Sequence, residues 1–217
     1  MALIQILIDT PGSWYWPYGR RLAEALRARG HEAVLRRAAA EVVAGDVLCL
    51  LSCERLFQAL DLNTYNLVVH ESALPRGKGW SPLTWQILEG RQEVPVTLFE
   101  AAEGVDAGPV YLTETLRFAG HELLPELKHA QGEATNRLIL RFLQDFPTVP
   151  VARPQVGEET FYPRRRPADS ALDVSKALAE QFDLLRVCDN DRYPAYFDFR
   201  GHRYTLRIEK TDLPPTP

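Results

Sequence analysis

The stretch 68–90, VVHESALPRGKGWSPLTWQILEG, joins an apolar run to an amphipathic segment through a loop that contains two glycines. The apolar run ends at His70, and the amphipathic segment at 82–88 stops before Gly90. A short apolar run, a glycine-containing loop and an amphipathic helix form the repeating unit of an α/β sheet. The stretch therefore places an ionisable imidazole at the end of a predicted strand.

The same alternation extends along the chain on both sides of this stretch. Apolar runs of strand length occupy residues 2–10, 31–35, 47–53, 66–70, 94–101 and 110–118. Segments with helical spacing occupy residues 17–29, 54–60, 82–88 and 123–145. This order predicts an α/β fold with a Rossmann-like, open and mostly parallel sheet.

The composition changes after the last of these helices. Residues 147–174 are rich in proline, arginine and acidic residues, which predicts a connecting segment over the surface. Residues 175–186 have helical spacing, and residues 195–199 and 204–208 alternate apolar and polar side chains around a turn. We therefore predict a first domain at 1–146, a linker at 147–174, and a small C-terminal α+β appendage with a hairpin at 175–217.

Composition and charge exclude several classes of function. The 217 residues carry a formal net charge of −4, whereas nucleic-acid binding needs a basic face. The sequence contains neither a signal peptide pattern nor eighteen consecutive apolar residues, so we expect a cytoplasmic protein without a membrane contact. Cys49, Cys53 and Cys188 are expected to be reduced thiols, and the scattered His and Cys residues lack zinc-ligand spacing, so no metal is predicted.

Nucleotide-binding loops are also absent from the sequence. The first strand–helix turn, DTPGSWYWP at 9–17, has one glycine where a dinucleotide fingerprint has three. The GKGWSP loop at 77–82 lacks the Lys-Ser/Thr pair of a phosphate-binding loop. In an open α/β sheet a ligand still binds at the carboxyl ends of the strands, which we predict at Asp9, Ser52, His70 and Glu100.

Two titratable residues stand out near these strand ends. The loop FEAAEGVDAGPV at 99–110 carries Asp106 between Gly104 and Gly108. A carboxylate beside an imidazole orients the ring and stabilises the imidazolium. For a lone histidine, a ring satisfied by a backbone carbonyl is the alternative. The pairing of His70 with Asp106 therefore predicts acid–base chemistry on a small molecule.

These motifs together resemble the folate-dependent formyltransferases, a family that includes methionyl-tRNA formyltransferase, glycinamide ribonucleotide transformylase and the sugar N-formyltransferases. The matching elements, in order, are His70, SALP at 72–75, Gly79, PVTL at 95–98 and GVDAG at 104–108. A weaker similarity covers RRRPADSALDVS at 164–175 and YPAYFDFRGHRYTL at 193–206.

The resemblance implies a function and a set of site residues. It implies formyl transfer from the cosubstrate 10-formyltetrahydrofolate to a primary amine, with His70 as the base and Asp106 as its partner. The residues implied in folate binding are Ser72, Leu74, Pro75, Glu100, Ala101, Glu103 and Gly104. The residues expected to contact the acceptor are Ser52, Lys78, Trp80 and Trp14. For Lys78 and Trp80 the alternatives are a solvated lysine and a packing tryptophan.

One position departs from the family pattern. The family has Asn-x-His, whereas this chain has Val68 two residues before His70. A valine cannot donate a hydrogen bond to the formyl oxygen, and loss of such a donor costs about a hundred- to a thousand-fold in rate. Protonated His70 or a hydroxyl of Ser52 or Ser72 would then take over this role; otherwise the chain is a weak or inactive relative.

The acceptor predicted from the resemblance is an amino sugar, either nucleotide-linked or an intermediate of nonulosonate synthesis. The acidic net charge and the short appendage argue against tRNA as a substrate. The alternatives are a non-catalytic folate- or sugar-binding relative and a hydrolase of formyltetrahydrofolate. The appendage and the aromatic residues are compatible with a homodimer.

Overall fold

The computed structural model describes residues 1–211, and residues 212–217 of the predicted appendage lie outside the described part. The strands are β1 (Leu3–Leu7), β2 (Glu32–Arg36), β3 (Gly45–Leu50), β4 (Asn63–His70), β5 (Lys78–Gly79), β6 (Glu93–Glu100), β7 (Val110–Arg117), β8 (Phe161–Tyr162), β9 (Ala195–Phe199) and β10 (His202–Leu206). The α-helices are α1 (Trp16–Ala28), α2 (Pro82–Leu88), α3 (Leu124–Phe142) and α4 (Phe182–Arg186).

Six strands form the central sheet in the order β2-β1-β3-β4-β6-β7. The first four are parallel to one another, whereas β6 is antiparallel to β4 and β7 is antiparallel to β6. The prediction of an open, mostly parallel α/β sheet is confirmed. The direction of β6, however, puts Glu100 opposite Leu67 and Thr97 opposite His70. The prediction that Glu100 ends a strand at the same edge as His70 was therefore wrong.

The two faces of the sheet are covered unequally. Helices α1 and α3 pack together over one face, and the larger apolar core lies beneath them. A smaller apolar cluster on the other face includes Leu48 and Leu50, with Val68 packed against it. Side chains alternate along a strand, so Val68 and His70 share this second face while Leu67 and Val69 belong to the helical side.

Two predicted helices and several strand boundaries differ from the structure. The first and third strands end at Leu7 and Leu50, two residues before the predicted ends at Asp9 and Ser52, and the fourth begins at Asn63 rather than at residue 66. Residues 54–59 are irregular, and a 3₁₀ turn follows at Leu60–Leu62, since a segment of seven residues is too short to form a stable helix by itself. Residues 175–186 form a 3₁₀ turn at Leu178–Gln181 followed by the short α4. The hairpin strand predicted from residue 204 begins at His202, because Arg200 and Gly201 have positive φ angles and form a two-residue turn.

Three further features concern the described residues. Cys49, Cys53 and Cys188 are free thiols. Within residues 1–211, no helix combines the length and the apolar composition needed to cross a membrane. In the same part of the chain, no group of three or more His, Cys, Asp or Glu residues is arranged to hold a metal ion.

Candidate active site

His70 closes β4 with its imidazole buried and only 6% of the residue exposed. The ring nitrogen Nε2 lies 2.7 Å from the carbonyl oxygen of Gly77. A carbonyl oxygen can only accept a hydrogen bond, so Nε2 carries a proton and donates. The neutral ring therefore keeps its lone pair on Nδ1, which is the nitrogen that can take a proton from a substrate.

Asp106 faces that nitrogen. Its Oδ2 lies 3.6 Å from His70 Nδ1, and the same oxygen accepts a hydrogen bond of 2.9 Å from the Gly79 amide. The Asp106 backbone has a φ of +48°, a left-handed conformation that aspartate and asparagine tolerate better than most residues. The carboxylate is thus oriented by backbone contacts and can stabilise the imidazolium when Nδ1 is protonated.

The loop at 101–109 carries Asp106 from the far end of β6 back to His70. Because β6 is antiparallel to β4, its last residue lies opposite Leu67, and the loop must turn back to reach the imidazole of His70. Gly108 lets it do so, since a Cβ atom at this position would overlap the carbonyl oxygen of Glu100. The approach of Asp106 therefore depends on a close backbone contact that only glycine allows.

Residues 153–162, which we call the strap, hold the Asp106 loop from outside. Gln155 donates from Nε2 to the carbonyl oxygens of Asp106 and Gly108, each at 2.8 Å. Arg153 and Val110 exchange two backbone hydrogen bonds of 2.7 and 2.8 Å. These contacts fix the backbone on both sides of the carboxylate.

The other end of the strap holds the loop that binds His70. The Gly77 amide donates to Thr160 Oγ1 at 2.8 Å, and the Lys78 amide donates to the Thr160 carbonyl at 2.9 Å. Strand β8 then pairs with β5, and a Cβ at Gly79 would come within 2.5 Å of the Tyr162 carbonyl oxygen. The strap therefore joins both halves of the His70–Asp106 pair, although its sequence predicted only a linker.

Thr160→Val should test this role of the strap, because it removes the hydroxyl oxygen that accepts from Gly77 and keeps the shape of the side chain. Loss of one such hydrogen bond costs about 1 kcal/mol, so we expect kcat to fall about fivefold. The KM values for both substrates should change less than about twofold, and Thr160→Ser should restore kcat. Equal losses in the valine and serine variants would contradict a role for the hydroxyl.

The residues predicted to contact the acceptor have different surroundings. Lys78 is buried, and its Nζ lies 2.6 Å from Glu159 Oε1, so it is not a solvated lysine, and its contact with the acceptor stays a prediction. Trp80 is exposed and carries the Arg164 guanidinium 4.6 Å from its ring centre. Ser52 has a φ of +58°, and its hydroxyl lies 2.7 Å from the Ser13 hydroxyl.

Trp14, the fourth of these residues, lies on the helical side of the sheet. It is partly buried and packs edge-on against Tyr15 and Tyr18. Together with Glu71 it lines a small cavity on that side.

The residues predicted to bind folate also divide into two groups. Glu103 and Gly104 are exposed on the Asp106 loop, where backbone groups can reach a ligand. Four others are held within the protein or half-buried: Ser72 is 2% exposed, Pro75 is buried, and Leu74 and Ala101 are half-buried.

Glu100 uses its side chain internally. Its carboxylate accepts from the Asn66 amide at 2.6 Å and from the Tyr111 hydroxyl at 2.9 Å. Asn66 is the nearest side-chain amide upstream of Val68 on the same strand, and it is bound to Leu60 and Glu100. It therefore does not replace the amide that the family pattern has at position 68.

Glu71 is a buried carboxyl next to His70 that the sequence did not single out. It follows His70 directly, only 7% of it is exposed, and Gln131 Nε2 donates to its Oε1 at 2.7 Å. Burial raises the pKa of its carboxyl, and the nearby imidazole of His70 partly opposes that effect. The only signal in the sequence was an acidic residue placed immediately after the predicted base.

Glu71→Gln should reveal this buried charge as a pH-dependent change in stability. A carboxyl with a raised pKa binds its proton more strongly in the folded protein, so folding stability falls as pH rises from the unfolded value of 4.5 through the folded value. Each pKa unit of elevation corresponds to about 1.4 kcal/mol. The variant should therefore gain stability relative to the parent as pH rises, measured by denaturant unfolding.

Glu133→Gln is the matched control for that measurement, because Glu133 is an exposed acid that pairs with Arg21. Its stability difference from the parent should vary much less with pH. If the free energies of unfolding of Glu71→Gln and of the parent changed in parallel from acidic to neutral pH, the pKa of Glu71 would not be raised in the folded protein.

Comparison with known proteins places this site in a family. The sequence pattern described as formyl transferase matches residues 21–143, more than half of the chain. Methionyl-tRNA formyltransferase from Clostridium thermocellum has a similar structure, with a TM-score of 0.80 and 18% identity over 98% of this chain and 94% of that one.

Two further structures have the same fold. HypX from Aquifex aeolicus, in complex with tetrahydrofolic acid, gives a TM-score of 0.76 and 21% identity over 100% of this chain and 39% of that one. A sugar N-formyltransferase from Shewanella sp. gives 0.71 and 14% identity over 99% of this chain and 100% of that one. Identities this low establish the fold alone, whereas the sequence pattern establishes descent: the chain belongs to the formyl transferase family and is a formyltransferase.

Proposed function

We propose that this enzyme moves the formyl group of 10-formyltetrahydrofolate to the primary amine of an amino sugar. The observation that carries the proposal is the His70–Asp106 pair, with Nδ1 facing the carboxylate at 3.6 Å and Nε2 bound to Gly77. An amine attacks a carbonyl carbon only through a free lone pair, so its proton must be removed during the reaction. Nδ1 of His70 is the acceptor for that proton, and Asp106 stabilises the resulting positive charge.

The cosubstrate follows from the family, whose members take the formyl group from formyltetrahydrofolate. The exposed part of the Asp106 loop, with Glu103 and Gly104, offers backbone groups to the flat and polar pterin ring. We place the folate there, on the same face of the sheet as His70. Because Ser72 and Glu100 are turned inward, their backbones or neighbours make the contacts that the resemblance assigned to them.

The oxyanion that forms on the formyl carbon needs a hydrogen-bond donor. Val68 packs against the smaller apolar cluster and cannot donate. Once His70 has taken the proton of the amine, its Nδ1–H is a charged donor at the reacting centre. We therefore assign both proton removal and oxyanion stabilisation to His70. When the tetrahedral intermediate collapses, the bond between the formyl carbon and N10 of the folate breaks, and His70 returns its proton to that nitrogen.

The net charge of the chain and its structural similarity to sugar N-formyltransferases support an amino sugar as the acceptor. A net charge of −4 disfavours a polyanionic acceptor such as tRNA. The size of the appendage does not separate the two substrates, since the match to the clostridial methionyl-tRNA formyltransferase covers 94% of that chain. The Shewanella sugar N-formyltransferase is matched along its whole length.

A turnover assay tests the proposal directly. The protein is incubated with 10-formyltetrahydrofolate and a panel of UDP-, dTDP- and CMP-linked amino sugars, and the mass of each product is measured by mass spectrometry. We expect one sugar to gain a single formyl group. The N-acetylated form of that sugar is the matched control, and it should gain none because its amine is blocked.

The same assay separates the alternatives. Loss of the formyl group from the cosubstrate without any acceptor would identify a hydrolase. Formylation of an aminoacylated tRNA, with no reaction on any amino sugar, would overturn the proposed substrate while keeping the proposed chemistry.

A further inference from the structure

Two neighbouring peptide groups of the loop after β4 hold the two members of the His70–Asp106 pair. The carbonyl between Gly77 and Lys78 accepts from His70 Nε2 at 2.7 Å. The N–H between Lys78 and Gly79 donates to Asp106 Oδ2 at 2.9 Å. Lys78 lies between these two planar groups, so its φ and ψ angles set how one is placed relative to the other. The conformation of Lys78 therefore decides where the imidazole and the carboxylate are held.

The backbone of this loop is not stiff by itself. Gly77 and Gly79 have φ angles of +72° and +96°, which glycine adopts readily, but glycine also reaches many other conformations. Lys78 carries the one side chain between these two glycines. An anchor on that side chain therefore restrains both peptide groups together.

The Lys78 side chain has such an anchor in the strap. Lys78 is 2% exposed, its Nζ donates to Glu159 Oε1 at 2.6 Å, and the ammonium lies 5.9 Å from the centre of the Phe161 ring. Between these two strap residues lies Thr160, whose hydroxyl and carbonyl accept from the Gly77 and Lys78 amides. A lysine is rarely buried to this extent unless it is paired, so the contact with Glu159 is what keeps the side chain inside.

Two acceptors compete for the single ring proton of neutral His70. The Gly77 carbonyl lies 2.7 Å from Nε2, whereas Asp106 Oδ2 lies 3.6 Å from Nδ1. If the carbonyl moved away from Nε2, the carboxylate would be the better acceptor, and the proton would shift to Nδ1. Nδ1 would then have no lone pair with which to take a proton from the amine.

We propose that the Lys78–Glu159 ion pair is a positioning device that keeps the Gly77 carbonyl on Nε2 and thereby keeps the lone pair of His70 on Nδ1. Lys78 and Glu159 are positioning residues, because they act through His70 and this role needs no contact with either substrate. The expected effect on rate rests on the proposed function, which takes His70 to be the base. The expected effect on the tautomer depends on no reaction.

Nitrogen-15 NMR of the imidazole rings tests the tautomer without turnover. The signals of His70 are those that disappear in His70→Gln. At a pH where the ring is neutral, the parent should carry its ring proton on Nε2. In Lys78→Met, which keeps the length of the side chain and removes the ammonium, and in Glu159→Gln, we expect the ring protonated at Nδ1 to predominate. Protonation at Nε2 in both variants, as in the parent, would overturn the inference.

Steady-state kinetics measure the consequence for rate. A base whose competent tautomer is about 1–10% populated lowers kcat about 10- to 100-fold, and we expect this loss in Lys78→Met and in Glu159→Gln. The KM values of both substrates should stay within about threefold of the parent. The double variant should lose no more than the poorer single variant, because both substitutions break the same contact. Losses that multiply in the double variant would overturn the inference.

Thermal unfolding separates positioning from a general loss of stability. An apolar residue of similar volume commonly replaces a buried charge without destabilising the protein, so Lys78→Met should keep the parental melting temperature while losing rate. A loss of rate in Lys78→Met that disappeared at temperatures where the variant is fully folded would overturn the positioning role.

The ion pair of Arg76 with Glu158 is the matched control, because it joins the same loop to the same strap. Its nitrogen and oxygen are 4.0 Å apart, and the two side chains are 72% and 78% exposed. Exposed pairs of this kind contribute little, so Arg76→Met and Glu158→Gln should keep the parental tautomer, kcat and KM values. Losses equal to those of Lys78→Met would show that the buried pair has no special role and would overturn the inference.

The two measurements distinguish this inference from the proposed function. If no amino sugar is formylated but the tautomer of His70 depends on Lys78 and Glu159, the proposed reaction fails and the positioning role holds. If an amino sugar is formylated and both variants keep the parental tautomer and kcat, the reaction holds and the positioning role fails.

Discussion

Replacing His70 by alanine is expected to lower kcat for formyl transfer by about a hundred- to ten-thousand-fold. The reason is that Nδ1 is the proton acceptor in the pair with Asp106. Among the described residues, no other basic side chain forms an ion pair with the Asp106 carboxylate. Folate affinity should stay within a few fold, because the Asp106 loop is held by Gln155 and by its own backbone contacts rather than by His70. Formylation rates give the first quantity, and calorimetry with a non-transferable folate analogue gives the second.

A second variant protects this prediction against misfolding. Alanine leaves the Gly77 carbonyl without its donor, whereas the amide of His70→Gln can still donate there but cannot take a proton. Both variants should be equally inactive. His202→Ala, on the exposed hairpin, is the matched control and should keep the parental rate. A His70→Gln enzyme within threefold of the parental rate would mean that another group removes the proton.

Periodicity was sufficient to predict most elements of the sheet, because apolar runs and helical spacing depend on local burial. It did not predict the direction of β6, since an antiparallel strand has the same apolar pattern as a parallel one. A parallel β6 would put Glu100 beside His70, whereas in the structure the loop that follows Glu100 folds back and brings Asp106 there. The His70–Asp106 pairing, predicted from loop glycines and the resemblance, stays a prediction as a catalytic assignment.

The strap and Glu71 show why other parts of the site were not predictable. Gln155 and Thr160 bind backbone groups of distant loops, and backbone groups leave no pattern in the sequence. Residues 147–174 therefore had the composition of a surface linker. Glu71 looked like a polar loop residue, because its burial depends on Gln131 of α3, sixty residues later.

The source of the imidazole tautomer also differs from the expectation based on the sequence. A carboxylate beside a histidine commonly fixes its tautomer. Here Gly77 does so through Nε2, and Asp106 faces the other nitrogen. Asp106 is then needed for its charge in the transition state and much less for orienting the ring, which separates the effects of two substitutions.

Asp106→Asn is therefore expected to lower kcat by about a hundredfold, which is a smaller loss than that of His70→Ala. Asparagine tolerates the left-handed backbone at this position, and its side-chain oxygen can still accept from Gly79. Only the negative charge is lost, and a charged hydrogen-bond partner is worth about 1.5–3 kcal/mol. In proteases where the aspartate itself sets the tautomer, the same substitution costs about ten-thousand-fold.

Asp106→Ala is the informative comparison, because it also removes the acceptor for Gly79 and puts a less tolerant residue at a φ of +48°. We expect it to lose thermal stability and folate affinity along with rate, whereas Asp106→Asn should keep both. An Asp106→Asn enzyme as inactive as His70→Ala would show that Asp106, and not Gly77, controls the ring. A rate within threefold of the parent would show that the charge of the carboxylate is not used in the reaction.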